Sequence, residues 1–249
     1  MEWPKMILFD YGHTLAAESG FSSLSGVAAV MEHATANPRK LTDEQVEAFM
    51  SGVFQSMCVN AHKIGAELHN RHMCQLIYEY LQIELSITID EVERVFWENA
   101  APGVAMPNAA RMLAYLGENG IRAGVVSNIG FSGDSLTRRL SRLLPGNGFE
   151  FVIASSEYMV RKPNPMIFEL ALRKARLDGC EAGAVWFCGD SPTADIEGAS
   201  SAGLFAVWYD NLIYENPFKE KYDAPPPCDH MRIHDWQELI DALESIKRK

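Results

Sequence analysis

The stretch ILFDYGHTL (residues 7–15) begins as a buried strand and stops at a carboxylate. Ile7, Leu8 and Phe9 run without a polar break into Asp10. Apolar runs of this kind suit strands covered on both faces, as in a parallel sheet. The pattern recurs in IRAGVVSN (121–128), FEFVIASS (149–156), AVWFCGD (184–190) and LFAVWYD (204–210). Helical periodicity fills the gaps at 108–120, 165–177 and 193–204. Such alternation specifies a doubly wound α/β sheet with right-handed crossovers. The proline- and charge-rich segment 214–230 reads as a surface loop, followed by a short strand and a last helix over 235–249.

Residues 16–103 break this rhythm. Helical patterns cover 41–59, 71–85 and 88–100, the last opening at a cap-like Thr88 or Asp90, and the one strand-like stretch is LSITI (85–89). The expectation is a helical insertion after the first strand. It divides the chain into a core of 1–15 with 104–249 and an inserted domain of 16–103.

Composition narrows the function classes. With 249 residues, 47% hydrophobic and 22% charged, the chain has the make-up of a globular enzyme. A net charge of −11 argues against nucleic acid or an anionic membrane as partner. It leaves room for a small anionic substrate in a locally positive pocket. Five cysteines without a CxxC pair suit a reducing compartment. There is no leader-like N-terminus, and no apolar run approaches the roughly 18 residues of a membrane span. The expectation is a soluble, cytoplasmic protein.

Ligands of an open parallel sheet bind beyond the carboxyl ends of its strands. Asp10 ends the first strand, Ser127 and Asn128 the second, and Asp190 a later one; Lys162 follows the third in VRKPNPMIF. Together these groups match what phosphoryl transfer to a carboxylate requires. Asp10 would attack phosphorus and form an acyl phosphate. Mg²⁺ held by Asp10, Asp190 and substrate oxygens would offset the repulsion between carboxylate and phosphate. Lys162 would neutralise charge, and Ser127 would hold non-bridging oxygens.

FDYGHTL, VVSN, RKPNPMIF and GDSPTAD also stand in the order of the four motifs of the haloacid dehalogenase superfamily, which the chain resembles. The resemblance implies a Rossmann-like core, with the insertion as a mobile cap that selects the substrate. It further implies Mg²⁺ bound by Asp10, the Gly12 carbonyl, Asp190 and Asp195, and a small phosphorylated metabolite as substrate, with Ser127, Asn128 and Lys162 around the phosphate. Substrate identity and oligomeric state are not written in these motifs.

The chain departs from the pattern at one place. Phosphatases of the superfamily usually carry a second aspartate two residues after the nucleophile, which protonates the leaving alkoxide and then activates water. Here that position is Gly12, followed by His13. Glycine cannot transfer a proton. His13, with an ordinary pKa near neutrality, would supply it from the next position; otherwise the leaving group is good, or the reaction differs. Haloacid dehalogenases lack an acid there, but they need no Mg²⁺ and lack the acidic GDSPTAD pattern. Phosphonoacetaldehyde hydrolases use a cap lysine, and Lys40 and Lys63 stand in no such motif. A weak or inactive member that only binds a phosphorylated ligand is the other reading; an intact Asp10, Lys162 and Asp190 speak against it.

Plainer roles exist for other residues. Asp195 could serve only the start of helix 193–204, Cys188 fits a strand core, and Phe96 and Trp97 fit packing within the insertion. His62, His69 and His72 match no familiar metal spacing and read as a polar helix face.

Overall fold

The computed structural model describes residues 2–18, 20–177, 179–214 and 225–248. Six strands form one sheet: β1 (Met6–Phe9), β2 (Arg122–Ser127), β3 (Phe149–Ala154), β4 (Val185–Gly189), β5 (Phe205–Tyr209) and β6 (His230–Ile233). Their order is β6-β5-β4-β1-β2-β3, and every pairing is parallel. Successive residues of a strand point to opposite faces, and β1 divides its side chains accordingly. Ile7 and Phe9 join the layer that holds Met112, Leu136 and Trp236, while Met6 and Leu8 join Phe168, Ile196 and Ala199 on the other side. Burial on both faces is why β1 carries no polar residue before Asp10.

Helices Ala109–Glu118 and Pro165–Lys174 form where the periodicity places them. In the latter, Asn164 accepts from Met166 N at 3.0 Å and Pro165 opens the first turn, a position where its missing N–H costs nothing. The expected helix over 193–204 is instead a π-helical turn, Pro192–Glu197, running into a short helix, Gly198–Ser201. A further helix, Gly133–Leu143, connects β2 to β3 where the apolar pattern gives no helix. The last helix is Trp236–Lys247. Of the expected surface loop, residues 215–224 lie outside the described residues.

Between β1 and β2 the chain forms helices Ser23–Met31, Asp43–Val53, Val59–Lys63, Asn70–Leu81 and Ile89–Ala100. Val27, Val30, Ile77, Leu81, Val92 and Phe96 pack into a cluster of their own. Thr88 caps the last helix in a reciprocal capping box with Glu91. This overturns the strand reading of LSITI: Leu85 belongs to a two-residue strand, Glu84–Leu85, paired antiparallel with Ala34–Ala36, and the rest turns into the helix. His69 is likewise no part of a solvated face. It is buried, and its Nδ1 accepts from Arg71 N at 3.2 Å at the start of helix Asn70–Leu81.

Candidate active site

Strand register brings the reactive groups together. Phe9 lies opposite Val125 on β2 and Cys188 on β4, so Asp10, Ser127 and Asp190 emerge at neighbouring carboxyl ends. They open into a cavity of about 460 Å³ that is also lined by His13, Lys162 and Asp195. β1 pairs with β2 on one side and β4 on the other, the switch point where open α/β sheets hold their ligands.

Lys162 organises the floor. It is fully buried, its Nζ donates to Asp10 Oδ1 at 2.7 Å and Val126 O at 2.8 Å, and it stands 2.7 Å from Asp195 Oδ1. Burial alone would lower its pKa, but the Asp10 and Asp195 carboxylates outweigh that and raise it, so the ammonium stays charged. Its backbone is fixed by Asn128, whose Oδ1 accepts from Lys162 N at 2.7 Å and whose Nδ2 donates to Lys162 O at 2.9 Å. The Asn128 side chain is thus engaged in holding the lysine loop, a task that its sequence position does not announce.

Asp195 does more than start a helix. Ser191 caps the π-helical turn by accepting from Ala194 N at 3.2 Å, and Ser191 N donates back to Asp195 Oδ2 at 2.9 Å. The carboxylate is thereby turned inward onto Lys162. Burial raises its pKa to about 6; Lys162 opposes the shift and Asp10 adds to it. Oxygens of Asp10, Asp190 and Asp195 lie within 4.8 Å of one another. Hard oxygen donors so arranged fit a hard dication such as Mg²⁺.

Asp195 also depends on a glycine. A Cβ on Gly189 would stand 2.3 Å from the Asp195 carboxylate, a distance no side chain tolerates. Gly189→Ala should therefore cost about 1–3 kcal/mol of stability, the usual range for overpacking, read in urea melts. An unchanged midpoint would mean that Asp195 moves aside freely.

Gly12 and His13 form the nearby turn. His13 N donates to Ala16 O at 2.7 Å, and His13 adopts a left-handed backbone with φ 54°. Its Nδ1 is buried with no hydrogen-bond partner, and burial lowers the imidazole pKa. Gly12 has open space around it: a Cβ there would meet nothing within 4 Å.

A family model for haloacid dehalogenase-like hydrolases matches residues 4–203. The chain belongs to that family. It is 28% identical over 215 residues to a glyceraldehyde 3-phosphate phosphatase of Methanothermobacter thermautotrophicus, covering 85% of this chain and 88% of the relative. Identity to a glyceraldehyde 3-phosphate phosphatase of Pyrococcus abyssi is 35% over 106 residues, and that match spans 42% of each chain, less than half of the relative's length. A pyrimidine 5′-nucleotidase of Escherichia coli is 32% identical over 54% of this chain and 56% of its own. Among solved structures, a 2-haloacid dehalogenase from Pseudomonas syringae has a TM-score of 0.65 at 23% identity, covering 97% of this chain and 99% of its own. A phosphatase of the family from Thermococcus onnurineus reaches 0.63 at 18%, with coverages of 96% and 97%. At such identities the structures share the fold with this hydrolase.

Buried Glu93 and half-buried Glu18 join the hydrolase's insertion to its core across sequence separations that no local pattern covers. Glu93 Oε1 accepts from Ser132 N at 3.0 Å, and its Oε2 accepts from Ser132 Oγ and, at 2.8 Å, from Ser135 Oγ. Glu18 Oε1 accepts from Tyr11 Oη at 2.7 Å, Trp97 Nε1 at 3.1 Å and Arg139 Nη1 at 2.6 Å. Trp97 is sandwiched between Phe131, stacked at 4.1 Å, and the Arg139 guanidinium at 3.7 Å. Trp97 is therefore packing.

Proposed function

We propose that this hydrolase is a Mg²⁺-dependent phosphatase of small phosphate esters that works through an aspartyl phosphate on Asp10. The carrying observation is Asp10 held by a buried, charged Lys162 within a cluster of three carboxylates. The relatives named as phosphatases and a nucleotidase support the same class of reaction. Asp10 attacks phosphorus as the ester P–O bond breaks, and the alcohol leaves with a proton. Water then attacks the acyl phosphate, releasing phosphate and restoring Asp10. Lys162 holds the nucleophile in position and offsets charge, and Ser127, buried at the end of β2, is the donor for a non-bridging oxygen. Asn128 acts on the phosphate site through the lysine loop.

Asp10, Asp190, Asp195 and the Gly12 carbonyl would hold Mg²⁺, which when bound lessens the repulsion between carboxylate and phosphate. His13 is the proposed proton carrier in place of the missing aspartate, because it lines the cavity and its Nδ1 is unpartnered. The core of 1–15 with 104–249 catalyses, and the insertion of 16–103 closes over the site. Among the described residues, Cys58, Cys74, Cys188 and Cys228 are free thiols, which supports a cytoplasmic setting. Among the described residues no helix is long and apolar enough to cross a membrane.

The test is release of inorganic phosphate from a panel of phosphate esters, with Mg²⁺ and with chelator. Turnover that needs the metal is expected. Tight ligand binding without any turnover would favour the reading of a non-catalytic phosphate binder.

A further inference from the structure

Two cations line the cavity, Lys162 and Arg161. Lys162 is already engaged by Asp10, Val126 O and Asp195, and an ammonium has three donors to give. Arg161 is placed differently. Its side chain is 21% exposed, and Nη1 donates to Glu67 Oε2. Among the described residues this is the one hydrogen bond that its guanidinium makes, so Nε and Nη2 keep their donors.

Glu67 belongs to the segment between helices Val59–Lys63 and Asn70–Leu81, and its side chain is 2% exposed. Ser155 Oγ donates to its Oε2 at 2.9 Å, and His62 Nε2 lies 2.8 Å from its Oε1. The two backbones are joined as well: Arg161 N donates to Gly65 O at 3.0 Å and Glu67 N to Met159 O at 3.4 Å. The guanidinium thus has a fixed carboxylate on the protein side and a cavity on the other. Glu18, also on the cavity wall, pairs with Arg139 instead, and its Oε1 also accepts from Tyr11 and Trp97. A planar fork oriented in advance suits a carboxylate or phosphate and loses little freedom on binding one.

We propose that Arg161 is a specificity residue that binds a second anionic group of the substrate, a carboxylate or a second phosphate, and that Glu67 is its positioning residue. The inference rests on the phosphatase reading. It divides phosphate esters by what they carry away from the reacting phosphate: esters with a second anion are taken, and those with a neutral tail are disfavoured.

The test compares kcat/KM for glycerol 3-phosphate, 3-phosphoglycerate and 1,3-propanediol bisphosphate, with p-nitrophenyl phosphate as a reporter of basic phosphatase chemistry. Wild type should favour at least one of the two esters with a second anion over glycerol 3-phosphate by about 10–100-fold, the range of a charge-assisted hydrogen bond. Which one is favoured separates carboxylate from phosphate. Arg161→Met should erase that ratio through KM, and the double variant Arg161→Met/Glu67→Gln should do the same. The double variant carries the comparison if the single one fails to fold with Glu67 buried and unpaired. Hydrolysis of p-nitrophenyl phosphate without any preference in wild type overturns this subsite alone. So does a fall of equal size on all esters in the variants, which assigns Arg161 to the reacting phosphate or to packing of the insertion. Failure to hydrolyse any ester overturns the phosphatase reading and this inference with it.

Discussion

Asp10→Asn should leave a folded protein without turnover. The amide matches the carboxylate in shape, and its oxygen can still accept from Lys162, now 2.7 Å from Oδ1. It is a poor nucleophile and carries no charge for a dication. Removing a covalent nucleophile costs on the order of 10⁶-fold in kcat where such losses have been measured. The fold should not suffer, because one of three crowded carboxylates becomes neutral while Lys162 keeps Asp195 at 2.7 Å. Phosphate release and thermal melts of the same preparation check both halves. Wild-type turnover in the variant would refute the covalent route.

Gly12→Asp should accelerate breakdown of the phosphorylated enzyme by some part of the roughly 10²–10⁴-fold that general acid–base help supplies. Position 12 can take the side chain, since its Cβ would meet nothing within 4 Å. His13→Asn belongs in the same experiment. Position 13 has a φ of 54°, a conformation that asparagine tolerates better than alanine does, so the backbone is preserved while the imidazole is lost. A loss in His13→Asn comparable to the gain in Gly12→Asp assigns the proton transfer to the histidine. No change in either variant would mean that this turn does not limit the rate.

Much of this arrangement was legible in the sequence because buried parallel strands leave unbroken apolar runs. The polar residue that ends each run marks the crevice, and Asp10, Ser127 and Asp190 are found that way. The helix Gly133–Leu143 was not legible, for a physical reason. Its buried face carries Ser135 and Arg139 beside Leu136 and Leu140, and those polar groups are satisfied by Glu93, Glu18 and Trp97 O from the insertion. Periodicity of apolar residues cannot register a face that is buried against glutamates. The inward turn of Asp195 escaped for a similar reason. It depends on a Ser191 N contact and on the absence of a side chain at Gly189, which are set by tertiary packing. The ties from Asn128 to Lys162 and from Glu67 to Arg161 span 34 and 94 residues, far beyond any local pattern.

The central claim is a covalent phosphate on Asp10, and acid-quenched enzyme caught during turnover tests it most directly. Peptide mass analysis of wild type should find phosphate on the segment that contains Asp10, removable by hydroxylamine as an acyl phosphate is, and absent from Asp10→Asn. Product accumulating while that peptide stays unmodified at every quench time, with Gly12→Asp and His13→Asn no different, would contradict the account.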